Sequence, residues 1–191
     1  GEVLESGIQN GISPKAASAE TPVRCLTLSA TTRGKFNSSC FKYVDLDDEV
    51  AEKYRLQPGD LLVQRANSID YVGISAVYDG EAGAFIFPDL MMRMRAGKLV
   101  SVEFLHLCLA AEPSRAYMRA NATGTQGNMP KVNQGTVSGI PVPVPPLESQ
   151  HRIVSTVKEL LALCDQLKLD LVQARQQREY LASVLVEQAV A

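Results

Sequence analysis

A chain of 191 residues that is 46% hydrophobic has room for one domain with a real core plus an appendage, which excludes disorder throughout. The formal charge of −2 divides evenly, with 14 Lys+Arg against 15 Asp+Glu through Pro146 and 5 against 6 beyond it. No strongly basic nucleic-acid footprint exists at the level of the whole chain, so any DNA-binding face must be local.

In chain order, Val23 to Leu28 is apolar and β-prone, and Thr31 to Ser39 after it carries the Gly, Asn and Ser of an exposed loop. Asp47 to Leu56 reads as a short helix, acidic at its start and basic near its end, and Pro58-Gly59 then forces a turn. Asp60 to Arg65 and Val72 to Tyr78 read as the strands of a hairpin joined by the polar Asn67-Ser68-Ile69-Asp70. Two further strands are expected at Ala84 to Phe87 and Leu90 to Arg95. In the second, Met92 and Met94 alternate with Arg93 and Arg95, predicting an apolar face and a cationic edge, with Asp89 as a nearby acid.

From Ser101 the apolar spacing becomes helical, with Ser101 able to cap and Glu103 in the first turn; Pro113-Ser114-Arg115 restarts a second helix. Gly124 to Lys131 is a glycine-punctuated polar loop. Strands first and helices second give an α+β fold class for the globular part, residues 1–146. Its end, Ile140 to Pro146, is a strap that cannot be helix, because alternating prolines lack N–H donors and hold their predecessors extended.

Residues 147–191 form the second region, a long C-terminal coiled-coil helix. Ile153, Val157, Leu160, Cys164, Leu167, Leu171, Ala174, Leu181 and Leu185 follow a four-three spacing interrupted only by Arg178. With 147 to 190 helical, the rod is roughly 66 Å long at about 1.5 Å per residue. That exceeds the diameter of a domain this size, so the seam needs a mate in a second copy or another subunit.

Little in the chain points to catalysis. Cys25, Cys40, Cys108 and Cys164 include no C-x-x-C pair, and with only His106 and His151 a zinc site would need an unusual arrangement; the expectation is reduced, mostly packed cysteines, no metal and no cofactor. His106, among Leu105, Leu107 and Leu109, reads as a packed helix residue, and His151 as a partner contact or a solvated side chain. No G-K-[ST] closes the glycine loop, and no dinucleotide or methyltransferase motif is present. No apolar run reaches about eighteen residues and Gly1-Glu2-Val3-Leu4-Glu5 has no signal-peptide character, so a soluble cytoplasmic protein with no membrane partner is expected.

Two stretches together resemble the specificity subunits of type I restriction-modification systems. Pro58-Gly59-Asp60-Leu61-Leu62-Val63-Gln64-Arg65 followed by Val72-Gly73-Ile74 is similar to the G-D-[IL]-L strand and small-residue hairpin of a target recognition domain. Gly124-Thr125, and then Ile140-Pro141-Val142-Pro143-Val144-Pro145-Pro146-Leu147-Glu148-Ser149-Gln150-His151-Arg152-Ile153-Val154, are similar to the I-P-x-P-P-L-x-E-Q-x-x-I lead-in to the family's conserved spacer helix. Here Glu148-Ser149-Gln150 stands in place of the common E-Q. The resemblance runs from about Val23 to the end and is weakest before Lys53. Family members usually carry two recognition domains and two spacer helices, whereas this chain has one of each. It is therefore half of a longer subunit or a half-length subunit that pairs with a copy of itself.

The resemblance implies a non-catalytic reader of double-stranded DNA. Each head reads one half of a split target, and antiparallel helix pairing sets the spacing between halves. Methyl transfer and cleavage would belong to partner subunits, the methyltransferase and, where present, the restriction subunit. Reading bases needs donors and acceptors on loops, which Arg33, Lys35 and Asn37, then Arg65, Asn67, Ser68 and Tyr71, then Gln126, Asn128 and Lys131 supply. For each residue singly, a solvated or turn-forming role is the plainer reading, and Asn67 and Asn128 in particular suit turns. An alternative keeps the helix and drops the DNA, leaving a coiled-coil adaptor whose globular head binds protein. An enzyme is the weakest reading, for want of a catalytic constellation.

Overall fold

Short β-prone runs cut by glycine, proline and asparagine turns give the described residues six strands: β1 (Gln9–Asn10), β2 (Arg24–Leu26), β3 (Phe41–Tyr43), β4 (Leu61–Gln64), β5 (Ser75–Val77) and β6 (Met91–Met94). The computed structural model describes residues 2–124 and 129–190, with 183–185, 187, 189 and 190 by backbone alone. Contacts divide the chain into two units, 1–150 and 151–191.

The main sheet is antiparallel in the order β1-β6-β4-β5, with Leu62 opposite Ala76 on one side and Arg93 on the other. All four residues of β4 are buried, so both faces of the sheet are covered. The Leu62 face packs into an aromatic cluster with Leu26, Tyr78, Phe85 and Phe87. The other face, with Val63, Met92 and Met94, lies on the side of α2 (Val102–Ala110), which packs on β5 and on α3 (Glu112–Ala120).

The expected hairpin, both helices after Ser101 and the strand around Met91 are all present. The short helix is α1 (Asp48–Glu52), with Asp47 capping the amide of Glu49. Ser101 likewise caps α2 by accepting from the amide of Phe104 at 3.2 Å. Two expectations need correction. Ala84 to Phe87 forms no strand: Ile86 makes a single bridge to Cys25, because Gly83 at φ 72° precedes the segment and Pro88 closes it without a donor. The alternation in β6 is real, but its cationic edge is not. Arg93 is largely buried over the Phe87 ring, and both arginines pair with Asp60, not Asp89.

Asp60 is 1% exposed and receives Arg95 Nε at 2.7 Å, Arg93 Nη1 at 3.6 Å and the amide of Gln57 at 2.9 Å. The aspartate of the Gly59-Asp60-Leu61-Leu62 run therefore serves structure: it closes the turn and neutralises two cations brought up by β6. Asp89 instead accepts from the Ser13 hydroxyl.

A short helix, α4 (Gln134–Ser138), precedes the strap and had no sequence forecast; Asn133 caps it through the amide of Thr136. Residues 141–146 then run without helix or strand into α5 (Leu147–Val190), 44 residues long. Gln150 fixes this junction. Fully buried, its Nε2 donates to the carbonyls of Leu99 and Pro145 at 2.9 and 2.8 Å, while its Oε1 accepts from the amide of Ser101 at 2.9 Å.

Replacing Asp60 by Ala leaves Arg93 and Arg95 without their carboxylate in a mostly buried setting, and urea denaturation should show a loss of about 3 kcal/mol or more. A loss below about 0.5 kcal/mol, as for an ordinary surface change, would show that the network is dispensable.

Candidate nucleic-acid interface

The loops with exposed polar side chains gather where β4 ends and β5 and β6 begin. The reason is a buried amide. Gln64, the last residue of β4, is fully buried, and its Nε2 lies 2.9 Å from the Leu28 carbonyl, 3.0 Å from Thr31 Oγ1 and 3.2 Å from Thr32 Oγ1. Leu28 starts the 3-10 turn Leu28–Ala30 that opens the first loop, Thr31 caps its end and Thr32 follows. On its other side Gln64 Oε1 accepts from Asn67 Nδ2 at 2.6 Å, and Asn67 Oδ1 accepts from the amide of Ser68 at 2.7 Å. One side chain thus joins the first loop to the second.

The third loop is tied in by backbone. Val132 donates to the carbonyl of Arg65 at 2.9 Å, Asn67 donates to the carbonyl of Pro130 at 3.3 Å, and Thr123 and Lys131 exchange both hydrogen bonds at 2.9 Å. The second loop is also pinned from α3. Arg115, nearly buried, donates to the carbonyls of Val72 and Asp70, and burial pulls its pKa below the usual arginine value. Gly73 at φ 78° sits under this clamp, where a Cβ would come within 2.6 Å of Met118 Sδ and 3.0 Å of Arg115 Nη1, so a larger residue would be strained in its backbone and would push these side chains aside.

The sequence-predicted residues divide by role. Arg33, Lys35 and Lys131 are exposed, as are Ser68 and Tyr71, while Arg65 is half-buried with Nη1 on the Asp89 carbonyl at 3.3 Å. Asn37 accepts from both the amide and the hydroxyl of Ser39, and Asn67 is committed to Gln64 and Ser68, so both shape turns. Gln126 and Asn128 lie outside the described residues. Gln64, Arg115 and Gln150 were not singled out for these roles from sequence. Only Gln64 carried a signal, as the one polar side chain ending the apolar run Leu61-Leu62-Val63.

His106 lies under the same end of the sheet. Its Nδ1 is 2.9 Å from Ser75 Oγ; burial pushes its pKa down, and a hydrogen bond with the Gly34 backbone opposes that shift more weakly. It is a packed residue holding β5 and the first loop against α2. Burial pushes the Cys25 thiol up to about 11, which makes it unreactive. Cys40 and Cys108 are half-buried, and Cys164 is exposed. Among the described residues, no three His, Cys, Asp or Glu side chains gather to hold a metal, and no helix is long and apolar enough to cross a membrane.

On α5, Ile153, Leu160, Leu167, Leu171 and Leu181 are 41–70% exposed, Val157 is half-buried and Cys164 is exposed. Leu161, Leu163, Leu169 and Val172 are exposed too. The side chain of Leu185 lies outside the described residues. These apolar side chains are not covered by the chain itself.

Comparison with known proteins gives a consistent result. Residues 2–173 match the family model of the type I restriction modification DNA specificity domain. The type I restriction enzyme EcoEI specificity subunit of Escherichia coli is 27% identical over 139 residues, 72% of this chain and 23% of that protein. The StySPI specificity subunit of Salmonella potsdam is 31% identical over 125 residues, 64% of this chain and 27% of that one. In fold, the crystal structure of the HsdS subunit from Thermoanaerobacter tengcongensis is similar with a TM-score of 0.63 at 20% identity, over 93% of this chain and 48% of that one. The chain thus spans less than half the length of each of these relatives.

His106 has a measurable consequence. Its folded pKa lies below its ordinary 6.5, so between the two values the unfolded chain binds more protons, and stability falls as pH drops through 6.5. His106→Gln should remove this part of the acid loss in melting curves taken between about pH 5 and 8. An unchanged pH profile in the variant would rule His106 out as its source.

Proposed function

The chain belongs to the type I restriction modification DNA specificity family, and on that premise we propose that it is a non-catalytic DNA-recognition subunit whose head reads one half of a bipartite target. The observation that carries this reading is the convergence of three loops at one end of the sheet, the first two tied through Gln64 and the third through backbone hydrogen bonds, presenting Arg33, Lys35 and Lys131 to solvent. In a near-neutral chain, the loop cluster brings three exposed cations together with exposed polar groups on one supported surface, which is the local footprint that duplex DNA requires. Exposed cations there grip phosphates, and Ser68 and Tyr71 face base edges.

The exposed stripe of α5 supports the second half of the proposal. A second helix, from another copy of this chain or from the other half of a longer subunit, pairs antiparallel with it and sets the spacing between two heads. Methyltransferase subunits, and a restriction subunit where the system has one, supply the chemistry in the cytoplasm. The adaptor alternative has no observation of its own in its favour, because an exposed helical seam serves both readings.

Selection from random duplex DNA by the chain with its modification partner should enrich a motif split into two short halves. Replacing Leu160, Leu167 and Leu171 by Asp should abolish the two-part motif while the head stays folded. Failure to enrich any motif removes the DNA reading. An unchanged bipartite motif in the triple variant removes the spacer role of the helix.

A further inference from the structure

Within the proposed DNA-reading role, we propose that Gln64 is a positioning residue for sequence selectivity, setting which bases the first and second loops can read without itself touching DNA. Its amide orientation is forced by chemistry. The Leu28 carbonyl can only accept, so Nε2 must face it, and Oε1 is left for the Asn67 amide. Thr32 Oγ1 spends its proton on the Leu28 carbonyl at 2.9 Å, and Thr31 Oγ1 points its own there at 3.4 Å. Both hydroxyls then offer lone pairs to Gln64, and two N–H groups are shared among three acceptors.

The result is a continuous polar relay from Leu28 through Gln64 and Asn67 to the amide of Ser68. At one end it fixes the turn from which the strand of exposed loop carrying Arg33 and Lys35 departs. At the other it fixes the turn that leads to Ser68 and Tyr71. Because Gln64 is fully buried at the end of the buried strand β4, it has no freedom to follow either loop. The two loops therefore hold one spacing, and base readout depends on placement to within about 0.5 Å. Phosphate grip by flexible exposed cations does not.

The test uses the full chain assembled with its modification partner. The preferred target is first defined by selection, and binding to that target and to an unrelated duplex is then measured across a salt series. Gln64→Met keeps volume and removes the relay, and a Thr31→Val, Thr32→Val double variant weakens the same link from the loop side by removing two of its three acceptors. The expected result is a drop of about tenfold or more in the target-to-unrelated affinity ratio in both variants, the scale of one lost base contact. Affinity for the unrelated duplex and its salt slope should stay unchanged.

A merely structural role would lower both affinities together, and that outcome overturns the proposal. Retention of the wild-type ratio in either folded variant also overturns it. If Gln64→Met fails to fold, the double threonine variant decides on the same two outcomes. A wild-type complex that prefers no target at all would instead sink the DNA-reading role and this inference with it. A selective wild type with an equally selective variant removes only the role of Gln64.

Discussion

Strand β4 is buried from end to end, and each end of it is finished by a buried polar side chain whose hydrogen bonds must be met inside the protein. At the start, Asp60 meets its need with Arg93, Arg95 and the amide of Gln57, which closes the turn after Gly59. At the finish, Gln64 meets its need with Leu28, Thr31, Thr32 and Asn67, which ties together two loops that are far apart in sequence. An unsatisfied buried amide costs about 1–3 kcal/mol, so the loops are held where the strand puts them. Three exposed polar loops are thereby gathered at one end of the sheet.

The helix follows a different logic. Its first turn is locked through Gln150, which satisfies Leu99, Ser101 and Pro145 together, so the strap, the cap of α2 and the first turn of α5 form one joint. Beyond Val157 the apolar residues of α5 whose side chains are described stay open to solvent. A single helix gains little by exposing leucines, and burying each against a partner is worth about 1.5–3 kcal/mol. No buried side-chain nitrogen or oxygen among the described residues lacks a hydrogen-bond partner, whereas the described apolar side chains of α5 from Leu160 on are left uncovered by the chain itself.

What could be read from the sequence was local. The long helix, the proline strap, the Ser101 cap and the hairpin after Gly59 each announce themselves within a few neighbouring residues, and the structure has them all. The partners of Gln64, Gln150 and Arg115 lie 36, 49 and 43 residues away, and that of Arg95 lies 35 away, beyond any spacing rule. The same distance explains the mistaken cationic edge: alternation places Arg93 and Arg95 correctly on one face but cannot tell that Asp60 waits there. Ala84 to Phe87 had strand composition, yet its donors and acceptors are divided among Ile12, Arg24, Leu26, Leu56 and Glu81. Of the proposed interface, sequence supplied the loops, and the structure supplied the amide that makes them a single surface.

The central claim is that the Gln64 end of the sheet, not the Asp60 end, meets DNA. A photo-crosslinking group placed in turn at positions 35, 131 and 98, in the full chain with its modification partner, tests it directly. Lys98 is exposed just beyond the Asp60 end of β6. Crosslinks to the selected target from 35 and 131, with none from 98, are the predicted result. Crosslinks from 98 alone would contradict the account.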